Sequence, residues 1–209
     1  MPAGRQLVGD AGPVRGQSLR LAKWHGHAGA VGAGPAMRDW LATRGSLTAR
    51  LVASCDSFRV RRLHQKVAVC SLEEAAPIGL PRRERVWERE VVLCCDGVPA
   101  VFGHTVVPMS ATANDWPLFS ALGERSLGST LFYDPKVARG PLEFARLRAS
   151  HPLLARVHAA LGDTAPDLDG HVFHARRCVY RRHQGLLMVT EVFLPAVLNL
   201  AAATTKNTT

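Results

Sequence analysis

Two charged residues stand where the pattern calls for apolar ones. In WEREVVLCCDGVPAVFGHTVVP, residues 87–108, two β-rich runs flank Asp96-Gly97, the dipeptide of a two-residue type I′ hairpin turn. Taken literally, that turn sets Cys95 opposite Val98, Leu93 opposite Ala100, Val91 opposite Phe102 and Arg89 opposite His104. Side chains alternate across a strand, so Trp87, Arg89, Val91 and Leu93 share one face while Glu88 and Glu90 take the other. Arg89 is thereby directed inward with apolar neighbours. In GLLMVTEVFLP, residues 185–195, Leu187, Val189, Glu191 and Phe193 share a face, and Glu191 is the lone ionisable group in the run. An unpaired buried guanidinium or carboxylate costs several kcal/mol, so each needs a partner. Two readings stay open: a core ion pair, with each other or with neighbouring polar groups, or the wall of a closed pocket for a small polar ligand.

Other reactive residue types carry less. His25-x-His27 and His171-x-x-His174 have no Cys or carboxylate partner at ligand spacing, so no metal site is expected. The five cysteines (Cys55, Cys70, Cys94, Cys95, Cys178) lack CxxC spacing, and the adjacent pair lies inside a strand pattern. Buried free thiols in a reducing compartment follow, and the cytoplasm is the expected location.

The elements that would position these groups are legible in part. Ser46 is a fair N-cap, with Leu47, Leu51 and Val52 following at helical spacing. Phe58–Leu63 alternates, which predicts a strand with Arg59, Arg61 and Arg62 on a solvated edge. Residues 118–132 have a Leu-rich helical pattern interrupted at Leu127-Gly128, and Pro152–Leu161 predicts a helix with Leu153, Leu154, Val157 and Leu161 as its core stripe. DTAPDLDG (163–170) reads as a loop, and HVFHARRCVYRR (171–182) is strand-like. Residues 1–35, rich in Gly, Ala and Pro, are expected to form a flexible basic extension with at most a short ordered piece around Leu19–Trp24. A single domain would span 36–198, and 199–209 would be a disordered tail.

Composition narrows the class. The chain has 209 residues, 47% apolar and 21% charged, which suits a globular domain with a real core. No apolar run reaches the ~18 residues of a membrane span, so no stable membrane insertion is expected. The net charge of +9 invites a nucleic-acid reading, but net +8 of it falls within residues 1–66 and the remainder is nearly neutral. No basic recognition element or known nucleic-acid module surrounds that charge, so no nucleic-acid partner is expected.

Several separate blocks, in order, resemble chorismate lyase (chorismate pyruvate-lyase): WEREVVLCCDGVPAVFGHTVVP, LGERSLGSTLF, ARRCVYRR and LLMVTEVFLP, with DWLATRGSLTARL (39–51) similar to that family's opening segment. The resemblance covers roughly residues 37–198. It implies one α+β domain, a largely antiparallel sheet with covering helices enclosing an internal ligand site, working without metal or organic cofactor; a monomer is the expected state. It further implies elimination of pyruvate from chorismate to give 4-hydroxybenzoate, the first step toward ubiquinone. Residue by residue, Arg89 falls on the family's carboxylate-binding arginine, Glu191 on the glutamate at the far end of the aromatic product, and Leu127 on the Leu whose backbone contributes to the site. Leu47 stands where a Met commonly lines the ligand. His104 and Ser129 stand where arginines are common, and 133–175 is longer than in compact members. His104 is added, from the inferred register alone, as a contact to Arg89 or to a substrate carboxylate. The competing expectation is a non-catalytic small-molecule-binding domain of the same fold, as in the effector domains of certain transcription regulators.

Overall fold

Six strands, all antiparallel to their neighbours, form one sheet in the order β1-β2-β3-β6-β5-β4. They are β1 (Phe58–Val69), β2 (Arg85–Cys95), β3 (Val98–Pro108), β4 (Val137–Leu147), β5 (Phe173–Arg182) and β6 (Gly185–Phe193). Two three-stranded meanders, β1-β2-β3 and β4-β5-β6, are thus joined at the centre by β3 and β6. The helices are α1 (Pro35–Leu41), α2 (Leu47–Ala53), α3 (Leu72–Ala75), α4 (Leu127–Tyr133) and α5 (Pro152–Leu161). The computed structural model describes residues 21–111, 115–117, 119, 121–167 and 172–200. No helix among them is long and apolar enough to cross a membrane. The architecture is the expected α+β one.

Local chemistry explains most element boundaries. Asp96 and Gly97 both adopt positive φ (52° and 79°), as a type I′ turn demands. The literal register, however, survives only next to the turn. Cys95 pairs with Val98 and Cys94 with Pro99, and the ladder then slips, so that Leu93 faces Val101, Glu90 faces His104 and Arg89 faces Thr105. Pro99 has no N–H to donate, and Ala100, the extra residue, turns its carbonyl to the Leu194 amide at 3.0 Å. That bulge corrects the pairing of Arg89 with His104.

Ser46 does cap α2, its Oγ accepting from the Ala49 amide at 3.2 Å. Leu47 and Leu51 are buried, whereas Val52 is 51% exposed and lies off their stripe. The helix α5 has the bounds and buried stripe that its periodicity predicts. Leu127-Gly128 opens α4 instead of interrupting a longer helix. β4 has no counterpart in the sequence reading. The β4–β5 register is broken between Arg139 and Leu142, where a Cβ on Gly140 would lie 2.9 Å from the Val179 carbonyl.

The N-terminal boundary also needs correction. Residues 21–35, placed with the extension, are part of the domain: His25 and Phe144 exchange two 2.8 Å backbone hydrogen bonds, and Ala28, Val31 and Ala33 are buried in the core. This segment covers the edge strand β4. Residues 1–20 and 201–209, which hold the rest of the expected extension and most of the expected tail, lie outside the described residues, as does His171. All five cysteines are free, four of them buried.

Both faces of the sheet are covered. Val91, Leu93, Phe144 and Phe193 pack on one face with α1 and α2, and Val107, Cys178, Tyr180 and Leu187 continue that face beneath α4. Val92, Phe102, Ala145 and Val192 pack on the other face against α5. Glu88 and Glu90 are therefore buried as well, which is unusual for an antiparallel sheet and requires a charge network on that side.

Candidate active site

On the first face, a cavity enclosing about 560 Å3 of space, part of it open to solvent, lies between the sheet and helices α2 and α4. Arg89, Glu191, Leu47 and Leu127 all line it. Four of the five residues singled out from sequence thus converge on one site. Arg89 projects from β2 and Glu191 from β6, with β3 between them. Gly103 of β3 pairs with both Val91 and Glu191. Two strand spacings and one pleat repeat put the Arg89 and Glu191 Cα atoms about 12 Å apart.

Gly103 forms the floor beneath that gap. A Cβ there would lie 3.0 Å from Val91 Cγ2, so the backbone stays bare on the cavity side. The roof is set by the two helices. Thr48 Oγ1 and Ser126 Oγ are 2.6 Å apart, joining the start of α2 to the start of α4. A Cβ on Gly128 would sit 3.0 Å from Thr48 Oγ1, so glycine permits the helices to approach and bring Leu47 and Leu127 over the cavity.

The charges are unequal in their satisfaction. Arg89 is 2% exposed, and its Nη2 donates to the carbonyls of Gly123 (3.1 Å) and Arg125 (2.9 Å). Among the described residues it has no carboxylate partner, and its Nε–H is buried without an acceptor. Burial, and then the charge of Arg62, lower its pKa to about 10, which leaves it cationic at neutral pH. Glu191 is paired: its cross-strand neighbour Arg176 donates from Nε to Oε2 at 2.5 Å. Burial, reinforced by the nearby Glu191 carboxylate, raises the Tyr180 phenol well above its ordinary range, so a neutral O–H donor also lines the cavity. The core ion pair and the polar pocket wall, left open for these strands, are both present: Glu191 is ion-paired, Arg89 is not, and each faces the cavity.

Arg176, Tyr180, Gly103, Thr48 and Thr105 are site residues that sequence reasoning missed. For Arg176 a signal existed, since ARRCVYRR places two arginines inside a strand pattern and alternation must turn one of them inward. For Gly103 it was glycine in the middle of a β-rich run.

His104 is on the opposite face. The slip at Pro99 pairs it with Glu90, and it is 1% exposed between two carboxylates, 2.8 Å from Glu74 and 3.1 Å from Glu90. It therefore contacts neither Arg89 nor this cavity. Burial alone would lower its pKa, but the two carboxylates raise it to about 9. Glu74 and Glu90, which burial would raise, are each held near 2 with His104 as their first stabilising partner. Arg156 bonds Glu90 and lies 2.8 Å from Glu88, and His64 bonds Glu88 at 2.9 Å. His64, Glu88 and Glu90 bring their ligand atoms within 4.8 Å of one another, the one such group of metal-ligand type among the described residues. Arg156 bridges both carboxylates there and His104 meets Glu90 from the other side, so the group is part of an ion-pair network.

Comparison with known proteins follows the same residues. The family model described as chorismate lyase matches residues 19–202. The chain belongs to the chorismate lyase family. A probable chorismate pyruvate-lyase of Ralstonia nicotianae is 49% identical over 158 residues, covering 76% of this chain and 80% of that protein. One from Cupriavidus metallidurans is 45% identical over 190 residues (89% and 86%), and one from Nitrosospira multiformis 38% identical over 185 residues (88% and 99%). The chorismate lyase match takes in residues 21–35, in keeping with the burial of that segment. Among solved structures, a transcriptional regulator of the GntR family from Bacillus cereus superposes with a TM-score of 0.50 over 66% of this chain and 92% of that one, at 10% identity. At that identity the likeness is one of fold alone. Chorismate lyases are enzymes, and this chain carries its family's lyase blocks on a sheet shared with a regulator.

Proposed function

We propose that this protein eliminates pyruvate from chorismate to give 4-hydroxybenzoate, supplying the first step of ubiquinone biosynthesis in the cytoplasm as a monomer. The observation that carries the reading is Arg89: a buried guanidinium without a carboxylate partner among the described residues, facing a cavity whose far side holds Glu191. A cation buried in this way is uncompensated until an anion meets it. A planar ligand with a carboxylate at one end and a hydroxyl at the other satisfies both residues at once, Arg89 taking the carboxylate and Glu191 accepting from the hydroxyl.

The chemistry asks for positioning more than for a reactive group. The ether C–O bond breaks, the ring proton beside the hydroxyl leaves, and the electrons of that C–H bond complete the aromatic ring. The departing enolpyruvate takes up a proton on its methylene carbon to become pyruvate. Aromatisation drives the step. The site holds a flexible dianion in the reactive shape and favours charge developing on the enolpyruvyl oxygen, for which the Tyr180 phenol is a neutral donor on the cavity wall. Neither metal nor organic cofactor enters this scheme, and turnover is expected to survive dialysis against a chelator unchanged.

The decisive experiment incubates purified protein with chorismate and measures 4-hydroxybenzoate and pyruvate, expected in equal amounts. The fold shared with a GntR-family regulator favours a second reading, a binding domain without turnover. Tight 4-hydroxybenzoate binding with no pyruvate released would establish it in place of the first.

A further inference from the structure

Arg176 is as deeply buried as Arg89 (2% exposed) but is bonded on several sides. Its Nε donates to Glu191 Oε2 at 2.5 Å, and its Nη1 donates to the carbonyls of Leu41 (3.2 Å) and Thr43 (2.8 Å). The guanidinium carbon lies 5.7 Å from the centre of the Phe193 ring. Leu41 is the last residue of α1, and Thr43 begins the turn that leads to Ser46 and α2. That turn is held again from outside, where Arg50 donates to Thr43 Oγ1 at 2.6 Å and to the Asp39 carbonyl at 2.8 Å. One guanidinium therefore ties the floor of the cavity, at Glu191, to the chain that delivers Leu47 and Thr48 to its roof.

We infer that Arg176 is a positioning residue, which fixes the Glu191 carboxylate for recognition of the ligand hydroxyl and keys it to the α1–α2 turn. The inference rests on the lyase reading above and adds to it the origin of hydroxyl specificity. With Oε2 taken by Arg176, Oε1 is the oxygen that Glu191 has for a ligand, and the side chain keeps one orientation while doing so. A planar fork reaches the carboxylate and two carbonyls on separate elements together. A lysine ammonium at the same place is a point donor and reaches fewer of them. The next residue, Arg177, is equally basic but points to the other face, where it bonds Glu143 at 2.8 Å and the Glu73 carbonyl at 3.1 Å. It supplies an internal control of the same residue type on the same strand.

The test compares binding of 4-hydroxybenzoate and benzoate by calorimetry in wild type, Arg176→Lys, Glu191→Gln, the double variant and Arg177→Lys. Benzoate keeps the carboxylate for Arg89 and lacks the hydroxyl. Wild type and Arg177→Lys are expected to prefer 4-hydroxybenzoate by about tenfold or more, the worth of one hydrogen bond to a charged group. Arg176→Lys and Glu191→Gln should each reduce that preference to about threefold or less, and the double variant should lose no more than either single one. Circular dichroism checks folding, and if Arg176→Lys does not fold, Arg176→Gln carries the same comparison, since its amide can donate to Glu191 without reaching both carbonyls. Equal loss of affinity for both ligands, or an unchanged preference, would overturn the inference and leave Arg176 as a purely structural tie. Failure of wild type to bind either ligand would instead sink the lyase reading itself.

Discussion

At the scale of single residues, the site sets affinity against stability. Among the described residues Arg89 is held by two carbonyls with one N–H orphaned, a state that costs stability and that, in the function proposed above, a carboxylate ligand relieves. Replacing Arg89 by Met, close in length and free of charge, is expected to leave the melting temperature within a few degrees of wild type or above it. The same change should weaken 4-hydroxybenzoate binding roughly 100-fold and remove turnover at ordinary chorismate concentrations. Thermal unfolding with and without product checks both halves, and near-normal product formation by the variant would remove Arg89 from the site. For Glu191→Gln, a loss of rate of ~100-fold is expected with product binding partly retained; an unchanged kcat would reduce Glu191 to packing. Both residues were legible in the sequence because each breaks an apolar alternation, a signal that is local to one strand. Tyr180 was not, since it breaks no pattern, and Gly103, though it interrupts a β-rich run, gains its role from strands distant in sequence. His104 failed for a different reason: one proline two residues past the turn shifted the register, and a shift of one residue moves a side chain to the other face.

At the scale of elements, the cavity exists because two short helices meet tightly over a twisted sheet. The Gly128 backbone at the start of α4 lies against Thr48 of α2, with Ser46 and Ser126 oxygens each 3.4 Å from where a Cβ would stand. Gly128→Ala adds helix propensity worth ~1 kcal/mol in a helix interior and less near a terminus, and against this it forces α2 and α4 apart by a few tenths of an ångström. Stability should therefore change by less than about 1 kcal/mol, while product affinity falls several-fold through displacement of Leu47 and Leu127. Adding Thr48→Ala, which removes the obstructing hydroxyl, should recover part of the affinity; a double variant weaker than Gly128→Ala would show that α2 and α4 are not the cause. Element identity was well marked where a cap or stripe is contained in a few residues, as in α2, α5 and β6. It was lost in β4, where Gly140 and Pro141 punctuate the strand at its bulge, and in residues 25–33, whose order comes from backbone bonds to Phe144 and burial against α1.

At the scale of the whole molecule, one sheet separates two polar systems with opposite requirements. Among the described residues the first face leaves the Arg89 cation without a carboxylate, whereas the second joins its charges in one network, through Glu74, His104, Glu90, Arg156, Glu88 and His64 between the sheet and helices α3 and α5. The net charge of +9 enters neither system directly, because in the function proposed above one placed arginine meets the substrate anion and the opposite face forms its own ion-pair network. The second system makes the stability of the fold depend on pH. His104, raised from 6.5 to about 9, contributes stability that is complete below pH 6.5 and is lost as pH rises through 9. Glu74 and Glu90, lowered from 4.5 to about 2, contribute stability that is complete above pH 4.5 and is lost as pH falls toward 2. These three groups therefore favour a plateau between pH 4.5 and 6.5, with the melting temperature declining on both sides. His104→Gln cannot carry the charge, so it should lower the melting temperature on the plateau and flatten the decline between pH 6.5 and 9. Melting curves recorded at constant ionic strength from pH 3 to 10 decide the matter. A wild-type melting temperature that holds level from pH 6 to 9, or an alkaline decline that persists undiminished in His104→Gln, would show that the buried His104–carboxylate contacts do not govern the stability of the fold.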